Sequence, residues 1–462
     1  MSGIAGIIQS KDVSYPLYLC LHALQHRGQE TAGIATFDGK KTHVHKNPGQ
    51  LSEVISKELL QTMPGTAGVA QVLYSDKSVR GHAENIEPLV FTFKGHSVLI
   101  TVSASLINRD ELRAECEGNG HIFSSTSNAE LIAAILAHKL NSGESPRKAF
   151  IHTLHSLYGA YTGVAVVDGV LYAFRDPLGV KPLCFGKTDF GYAVVSESVA
   201  LDILGAGLIR DVAAGELLIV TADSLESVQF AKADHCAHCI FEYVYTARPD
   251  SVIDGVLVYD ARTRIGACLG KKDRGEDLVS PVPDSGTAFA TGYAAAAGIP
   301  YVEGLLKNRY VGRTFIMPAQ SLRESAVRMK LNPVRSHIKD RSVVLVDDSI
   351  VRGTTSLHIV DMVKEFGAKE VHMRIGSTPI IAPCYFGVDL PTRKELIATG
   401  RTVEEIREAI HATTLEYIDG SDLVEAVGIP KEELCTACAG GEYPLDIPCE
   451  KCCRRTITLL DD

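Results

Sequence analysis

Short apolar runs fill the first half of the chain, up to about residue 230. Residues 164–167 and 216–220 are two such runs, and Gly and Asp residues separate them from their neighbours. Runs of this length between turn residues are typical of β-strands. Residues 16–25 and 129–140 instead carry apolar positions at helical spacing, which predicts two helices. The pattern therefore predicts an α+β sandwich for this half.

From about residue 250 onward, apolar runs alternate with helical stretches. Residues 343–346 form an apolar run that leads through a loop into a helical pattern over residues 356–366. Alternation of strand and helix is typical of an α/β domain with a parallel sheet. Residues 223–238 are polar and low in bulky apolar side chains. The predicted domains are therefore residues 1–235 and 236–462.

The composition fits two packed domains. The chain has 462 residues, of which 45% are hydrophobic, and a chain of this length is too long for a single core. Its formal net charge of -10 argues against nucleic acid as a partner, because phosphate backbones are bound by clustered Lys and Arg.

The sequence shows no sign of export or of a membrane segment. Nothing near Met1 combines a basic stretch with a long apolar run, so no signal peptide is predicted. The longest uncharged stretch, residues 285–302, contains Gly, Pro and several Ala, which predicts a buried helix with its flanking loop rather than a membrane span. We therefore expect a cytoplasmic protein. In that reducing compartment the 12 cysteines indicate metal or cluster ligation more than disulfides.

Two adjacent acids, Asp347 and Asp348, follow the apolar run at residues 343–346. A loop with Gly and hydroxyl residues comes next and leads into a helix. The N–H groups at a helix start, together with the positive end of its dipole, hold phosphate well. The acids suit ribose hydroxyls, or Mg²⁺ that bridges the anionic oxygens of a substrate. Helix capping would explain an isolated pair of acids, but not the whole pattern over residues 343–356.

A basic segment lies upstream, although the whole chain is acidic. Residues 307–313 include Lys307 and Arg313 together with a Gly and a Tyr, and a local reversal of charge indicates an anion site. Further basic residues between 323 and 335 fit a solvated helix face equally well. The turn at residues 282–286, which contains Ser285, is another source of backbone donors for pyrophosphate.

These motifs resemble the glutamine phosphoribosylpyrophosphate (PRPP) amidotransferase family, the amidophosphoribosyltransferases that open purine biosynthesis. The resemblance spans nearly the whole chain, with further matching stretches at residues 25–30, 174–179, 196–198, 241–245, 247–251 and 313–316. It implies an N-terminal nucleophile-hydrolase sandwich that frees ammonia from glutamine. A type I phosphoribosyltransferase domain with a parallel sheet would follow and use PRPP. The resemblance also implies a homotetramer.

The resemblance assigns roles to individual residues of the second domain. It places Ser285, Asp347 and Asp348 at a Mg²⁺ site, and residues 349–355 at the 5-phosphate of the sugar. The predicted PRPP-binding residues are Asp347, Asp348, Ser349, Val351, Arg352, Gly353, Thr354 and Thr355, together with Lys307 and Arg313 of the basic segment.

The first domain departs from the family at the positions that carry its chemistry. Ser2 stands where the family has its nucleophilic Cys, and a hydroxyl is a weaker nucleophile unless a base activates it. Leu73 replaces an Arg that binds the glutamine carboxylate, and Asn128 replaces an acid that binds its amine. Ser103 and Ala104 replace an Asn-Gly oxyanion hole. Since the loss of one oxyanion donor alone costs about 10²- to 10³-fold in rate, we predict that glutamine hydrolysis is largely lost.

Four cysteines match the ligands of a [4Fe-4S] cluster in the iron-sulfur members of the family: Cys239, Cys384, Cys435 and Cys438. Such a cluster would tie distant segments together. The spacing alone favours a zinc site, because Cys435 and Cys438 form one CxxC pair and Cys449 and Cys452 form another. We favour the cluster, since Cys239 and Cys384 lie inside matching segments. The predicted core cysteines, which have apolar neighbours, are Cys20, Cys116, Cys184 and Cys268.

Three functions are consistent with these observations. The first is phosphoribosyl transfer from PRPP to ammonia, or to an amine supplied by a partner protein, which gives 5-phosphoribosylamine (or a related amine) and pyrophosphate. The second is a regulatory paralogue that binds PRPP or nucleotides and acts on a partner enzyme. The third is an ordinary glutamine-dependent enzyme that uses Ser2. The intact PRPP motifs beside altered glutaminase motifs favour the first.

Overall fold

A computed structural model of the chain describes residues 2–74, 83–93, 95–272, 274–308, 330–390, 392–448, 450–452 and 456–460. Within these ranges the chain forms an antiparallel sandwich followed by a domain with a parallel sheet.

Two antiparallel sheets stack face to face in the first domain. The seven-stranded sheet has the order Gly207–Asp211, Cys184–Thr188, Gly191–Val195, Ser2–Gln9, Ala67–Leu73, Thr31–Phe37 and Thr42–Pro48. The six-stranded sheet has the order Leu225–Gln229, Glu216–Val220, Val170–Arg175, Gly159–Val167, His96–Leu106 and Leu89–Phe93. The facing side chains form a shared core that includes Ile4, Val69, Leu99, Val164 and Val194.

Helices cover the outer face of each sheet. Ser14–Ala23 packs on the seven-stranded sheet, and Asn128–Asn141 and Pro146–Ser156 pack on the six-stranded one. Asn128–Asn141 begins where the Ser127 side chain accepts a hydrogen bond from the N–H of Ala129. Both helices predicted for this half are confirmed, with starts one or two residues earlier than expected. The layers are therefore helix, sheet, sheet and helix.

The second domain contains a four-stranded parallel sheet. Its strands are ordered Leu278–Pro281, Ser342–Asp347, Glu370–Ile375 and Thr414–Tyr417. The helices Thr354–Glu365 and Val403–Ala409 cover one face. The helices Val258–Gly270, Thr287–Ala297 and Gly420–Val427 cover the other. The central strand Ser342–Asp347 is almost entirely buried because helices lie on both of its faces.

The end of the chain returns to the junction between the domains. Ile457–Leu459 pairs antiparallel with Ala231–Ala233, and Leu434–Cys435 pairs parallel with His238–Cys239. The polar segment at residues 223–238 therefore contains strands that the tail and the segment near residue 434 complete. Sequence periodicity does not show these pairings, since each strand has only two or three residues.

Short elements complete the described part of the chain. The remaining helices are Gln25–Arg27, Leu51–Val54, Lys57–Leu60, Ala83–Asn85, Arg109–Gly118, Val199–Asp202, Glu242–Thr246, Arg335–Ile338, Lys431–Glu433 and Ala437–Gly440. The remaining strands pair as Val252–Ile253 with Val256–Leu257, Leu305–Lys307 with Leu331–Pro333, and Glu442–Tyr443 with Lys451–Cys452. No helix in the described ranges combines the length and hydropathy needed to cross a bilayer.

Candidate functional site

The paired acids Asp347 and Asp348 lie at the carboxyl end of the strand Ser342–Asp347. Their side chains are 8% and 5% exposed, and no Lys or Arg among the described residues forms an ion pair with either. Burial, together with the charge of Asp348, raises the pKa of Asp347 well above its usual range. Two buried carboxylates side by side call for a cation, and their oxygens are ligands that suit Mg²⁺.

The loop after the paired acids presents backbone donors. The N–H groups of residues 349–353 donate no hydrogen bond to any described residue. Gly353 has a φ of 78°, a left-handed conformation that favours glycine, and the helix Thr354–Glu365 follows it directly. Thr354 and Thr355 are exposed in the first turn of that helix. Their hydroxyl groups and the backbone donors form a suitable surface for phosphate oxygens.

Three other side chains of this loop have contacts in the structure. Ser349 Oγ donates to Asp348 Oδ2 at 2.6 Å. Arg352 is exposed, and its Nη2 donates to Glu395 Oε1 at 3.3 Å. Val351 is half-buried, and its carbonyl accepts from the N–H of Ile397.

The turn at residues 282–286 lies at the same edge of the parallel sheet. The N–H of Val282 donates to the carbonyl of Val346 at 2.9 Å, which holds the turn beside the paired acids. Ser285 is half-buried in this turn, and Lys307 Nζ donates to Asp284 Oδ2 at 2.5 Å. Lys307 and Ser285 are thus brought close to one edge. Arg313, with the rest of the basic segment over residues 309–329, lies outside the described residues.

The four predicted cluster cysteines line one cavity, which lies between the domains. Cys239 and Cys435 are register partners in the parallel pairing of their strands. Burial raises the pKa of Cys239 well above its usual range, and the charges of Glu242 and the neighbouring cysteines raise it further. Thiols that share a cavity in this way ionise together only around a cationic centre.

Cys452 is the described cysteine of the second CxxC pair, and its strand partner Tyr443 lines that cavity. Cys452 Sγ accepts a hydrogen bond from the N–H of Ile447 at 3.0 Å and is not among the residues that line the cavity. Cys449 lies outside the described residues. Within the described ranges, no three His, Cys, Asp or Glu side chains are grouped so that they could hold a single metal ion. Of the predicted core cysteines, Cys20, Cys116 and Cys184 are buried, and Cys268 is half-buried.

A larger cavity of about 400 Å³ lies beside Ser2, and we call it the amide cavity. Every position at which the first domain departs from the family pattern lines it: Ser2, Leu73, Ser103, Ala104 and Asn128. Ser103 and Ala104 lie on the strand His96–Leu106, and Asn128 opens the helix Asn128–Asn141. The fold therefore gathers positions that are far apart in the sequence, as the resemblance implies.

Glu87 is a buried acid of the amide cavity that sequence reasoning did not identify. Its carboxylate accepts hydrogen bonds from Val102 N at 2.7 Å, Ser127 Oγ at 2.7 Å, Thr101 Oγ1 at 2.9 Å and Gln71 Nε2 at 3.0 Å. Burial raises the pKa of Glu87, although these hydrogen bonds oppose the shift. An isolated Glu before Pro88 carries no periodic signal, so only the fold reveals it.

Lys181 is a second residue that the sequence did not single out. It is 9% exposed and lines both the amide cavity and the cysteine cavity. Burial lowers the pKa of its ammonium group, and the nearby Cys384 and Glu242 oppose that shift. The segment around Lys181 reads as an ordinary loop, and a buried cation there has no sequence signal.

Arg27 joins the two domains. Its Nε donates to Glu197 Oε1, and its Nη2 donates to Glu242 Oε2 at 2.6 Å. Burial by itself would raise the pKa of Glu197, but the charges of Arg27 and His26 hold it below its usual range. Arg27 is 4% exposed, so this network is an internal connection and not a surface ion pair.

Two family models match the chain, one in each domain. The model described as a glutamine amidotransferase domain matches residues 76–202. The model described as a phosphoribosyl transferase domain matches residues 259–375.

Relatives named amidophosphoribosyltransferase match the chain along nearly its whole length. The protein from Archaeoglobus fulgidus is 47% identical and covers 98% of this chain and 100% of its own. The protein from Methanocaldococcus jannaschii is 45% identical, with 98% and 99% covered. The protein from Bacillus subtilis is 41% identical, with 96% and 94% covered.

Two solved structures also match the chain along nearly its whole length. Glutamine PRPP amidotransferase from B. subtilis, complexed with ADP and GMP, has a TM-score of 0.89 at 40% identity and covers 96% of this chain and 97% of its own. A structure described as the allosteric regulatory enzyme of purine biosynthesis has a TM-score of 0.89 at 40% identity, with 96% of each chain covered. The predicted fold, a nucleophile-hydrolase-type sandwich followed by a type I phosphoribosyltransferase domain, is confirmed.

Proposed function

The chain belongs to the amidophosphoribosyltransferase family, and we propose that it transfers the phosphoribosyl group of PRPP to ammonia, or to an amine that a partner protein supplies, with little hydrolysis of glutamine. The products are 5-phosphoribosylamine, or a related amine, and pyrophosphate. The bond between the anomeric carbon and a pyrophosphate oxygen breaks, a bond to nitrogen forms, and the nitrogen releases a proton. The observation that carries this proposal is the pair of buried acids that form no ion pair with a described Lys or Arg, beside backbone donors that have no described acceptor.

Residues at the carboxyl edge of the parallel sheet provide a candidate contact for each group of PRPP. The N–H groups of residues 349–353 and the hydroxyls of Thr354 and Thr355 would hold the 5-phosphate. Asp347 and Asp348 would face the ribose hydroxyls, and Lys307, beside the turn of Ser285, would approach the pyrophosphate. Displacement at the anomeric carbon has a cation-like transition state, so the task of these residues is to hold the sugar and stabilise the departing charge.

Mg²⁺ fits this edge on the chemistry of its donors. Asp347 and Asp348 are buried carboxylates that form no ion pair with a described Lys or Arg, and Ser285 lies in the turn held against the same strand. When bound, the ion would balance these charges together with those of the pyrophosphate. The protein's own part is to hold the two acids side by side at this edge.

A [4Fe-4S] cluster fits the cysteine cavity better than a single zinc ion. Cys239, Cys384, Cys435 and Cys438 line that cavity together, whereas Cys452 does not. A cluster is larger than a single ion, so its four ligands lie correspondingly farther apart. Bound there, it would join the start of the second domain to the segments that carry Cys384 and the Cys435/Cys438 pair, which is a structural role.

The residues that line the amide cavity favour the proposal that glutamine is hydrolysed only slowly. Leu73 offers no charge to a carboxylate, and Asn128 offers none to an amine. Ser2 supplies a hydroxyl in place of a thiol, and the loss of each charged hydrogen bond costs roughly 1.5 to 3 kcal/mol. These losses occur together in one cavity, so ammonia from another source becomes the expected nitrogen donor.

A comparison of nitrogen sources tests the proposal. The purified full-length protein, PRPP and Mg²⁺ are incubated with ammonium chloride or with glutamine, and pyrophosphate release is measured. We expect release with ammonium and at least about tenfold less with glutamine at equal concentration. No release with any nitrogen source would overturn the phosphoribosyltransferase assignment.

The ordinary glutamine-dependent enzyme is the second candidate. The match of residues 76–202 to the glutamine amidotransferase domain and the names of the relatives favour it. It predicts that glutamine supports pyrophosphate release as well as ammonium does, with one glutamate formed for each turnover. The nitrogen-source comparison therefore separates the two candidates directly.

We also propose that the chain forms a homo-oligomer. Leu208 and Ile209 are 39% and 49% exposed on the strand Gly207–Asp211, which is an edge strand of the seven-stranded sheet. An exposed apolar edge of this kind is commonly covered by another subunit. Light scattering of the purified protein measures the mass, and a monomer would contradict this proposal.

A further inference from the structure

The loop at residues 349–353 has a shape that its own backbone donors do not fix. The N–H groups of these residues donate to no described residue, whereas most backbone donors of folded proteins are paired within the chain. A loop without such bonds can adopt many conformations, and only some of them direct its N–H groups at one phosphate. Contacts from elsewhere in the chain are therefore needed to hold it.

Ile397 contacts this loop through both its backbone and its side chain. Its N–H donates to the carbonyl of Val351 at 2.9 Å. A Cβ built on Gly353 would lie 2.3 Å from Ile397 Cδ1, so the Ile397 side chain lies directly against the backbone of Gly353. One residue, which lies outside the paired-acid motif, thus contacts the loop on both sides of Arg352.

Packing in the core fixes Ile397 itself. Its side chain is 7% exposed and belongs to an apolar cluster that includes Leu345 and Ile350. The preceding residue, Leu396, belongs to a neighbouring apolar cluster, and Val351 of the loop packs against that cluster. Close-packed side chains resist displacement. The two clusters therefore fix the position of Ile397 relative to the loop.

Hydrogen bonds anchor the segment around Ile397. Arg393 Nη1 and Thr399 Oγ1 both donate to the carbonyl of Ile381, at 3.0 and 3.1 Å. These two donors lie on either side of Ile397 in the chain, so the segment is tied to one backbone group at both ends. Ile381 follows the strand Glu370–Ile375, which pairs with the strand that ends in the paired acids. The segment and the loop are thus anchored to the same sheet.

A surface ion pair adds little to this support. Arg352 Nη2 donates to Glu395 Oε1 at 3.3 Å, but the two side chains are 52% and 50% exposed. Water screens an exposed pair of this kind, so its contribution is small. The buried contacts of Ile397 are therefore the main support of the loop from this segment.

We propose that Ile397 is a positioning residue for phosphoribosyl transfer, because it holds residues 349–353 in the conformation that binds the 5-phosphate of PRPP. The inference rests on the proposed function, which places that phosphate at the loop. The 5-phosphate takes no part in bond breaking, so its binding serves to place the anomeric carbon. A loop that is formed in advance loses less conformational entropy when the phosphate binds. Ile397 thus acts on the substrate through the loop.

Two partial ligands separate a role in positioning from a role in stability. Ribose 5-phosphate carries the 5-phosphate without the leaving group, and pyrophosphate with Mg²⁺ carries the leaving group without the sugar. Calorimetry on the full-length protein measures the affinity for each. In Ile397→Ala we expect ribose 5-phosphate to bind at least about fivefold more weakly, because the loop is less ordered before binding. The affinity for pyrophosphate should change less than about twofold.

Leu415→Ala is the matched control. Leu415 is 6% exposed and belongs to the same apolar cluster as Ile397, and both changes delete the same number of carbon atoms. Leu415 lies on the outer strand Thr414–Tyr417, two strands away from the strand that ends in the paired acids. Leu415→Ala should leave both affinities unchanged.

Ile397→Val keeps the inference testable if Ile397→Ala does not fold. This change deletes one carbon atom and shortens the side chain that lies against Gly353. Ribose 5-phosphate should then bind about two- to threefold more weakly. In turnover with ammonium, KM for PRPP should rise by a similar factor in each variant, while kcat falls less than about twofold.

Three results would overturn the inference. They are an equal loss of affinity for both ligands in Ile397→Ala, a loss in Leu415→Ala as large as that in Ile397→Ala, and an unaltered chain that does not bind ribose 5-phosphate. Unchanged affinity for ribose 5-phosphate in Ile397→Val and in any folded Ile397→Ala protein would also overturn it. The proposed function fails separately, through the absence of pyrophosphate release by the unaltered chain with any nitrogen source.

Discussion

Ser2 and Leu73 are register partners where the strands Ser2–Gln9 and Ala67–Leu73 pair. The positions predicted to match the family's nucleophile and its carboxylate-binding Arg therefore lie side by side in the wall of one cavity. Asn128 lines the same cavity from the start of a helix. Because the altered residues share one cavity, a single restored residue does not restore the function of the others.

A thiol at position 2 alone should therefore raise the hydrolysis of glutamine very little. In Ser2→Cys, glutamate release from glutamine should stay near that of the unaltered chain, because Leu73 still offers no charge to the substrate carboxylate. Combining Ser2→Cys with Leu73→Arg and Asn128→Asp should raise it at least about tenfold. The matched control carries Ser2→Ala with the other two changes and should show no gain. A tenfold gain from Ser2→Cys alone would contradict this explanation.

Replacing the paired acids should change activity and thermal stability in different directions. Asp348→Asn should lower pyrophosphate release at least about 10²-fold, since it removes a charge that the proposed function places at the reacting sugar. Asp347→Asn should lower it as well and also raise the midpoint of thermal unfolding. The raised pKa of Asp347 shows that the folded state disfavours its charge at neutral pH. Asp340→Asn, at an exposed position, should change neither quantity.

Removing the cation between the domains should destabilise the protein. Arg27→Met leaves the buried acids Glu197 and Glu242 without their shared partner. Loss of one member of a buried ion pair typically costs roughly 3 to 5 kcal/mol. Urea unfolding should show this loss, and Lys272, which forms an exposed ion pair with Asp419, provides a control, because Lys272→Met should cost less than about 1 kcal/mol.

Asp211 should make stability depend on pH. Burial, assisted by the charge of Asp254, raises the pKa of Asp211 from 3.8 to about 6. A raised carboxyl pKa contributes stability below the unfolded value, and that stability is lost as the pH rises through about 6. Asp211→Asn should therefore be more stable than the unaltered chain near pH 7, by roughly 3 kcal/mol, and the difference should vanish below about pH 4.

Urea titrations between pH 4 and pH 7.5 measure this difference. Asp223→Asn, at an exposed site of the same domain, should behave like the unaltered chain at each pH. A constant difference across the range would show that Asp211 acts through packing and not through its charge.

A [4Fe-4S] cluster in the cysteine cavity should make the purified protein absorb visible light. Protein purified without oxygen should contain about four iron atoms per chain and absorb visible light if the cavity holds a [4Fe-4S] cluster. Cys384→Ser should remove most of both signals, whereas Cys268→Ser, at a half-buried cysteine on the helix Val258–Gly270, should keep them. Stoichiometric zinc without iron would favour the CxxC alternative.

The local pattern was sufficient to predict the fold class. Apolar runs with turn residues indicated the sandwich strands, and helical spacing located Asn128–Asn141 to within one residue at each end. Strand and helix alternation indicated the parallel sheet, because the strands Leu278–Pro281 and Ser342–Asp347 are buried on both faces and are therefore largely apolar. The paired-acid loop could also be predicted, since strand, acids, Gly353 and helix are contiguous in the chain.

Groups brought together from distant segments could not be predicted in this way. Glu87 and Lys181 look unremarkable in sequence, yet one is a buried acid and the other a buried cation of the same cavity. Their roles come from desolvation and from neighbours such as Ser127 and Ser105, which the strand register and the domain contact supply. The sequence by itself determined the main elements and the paired-acid loop, because those depend on adjacent residues. Only the tertiary structure decided which charges are buried opposite which partners, because burial and contact are properties of the packed chain.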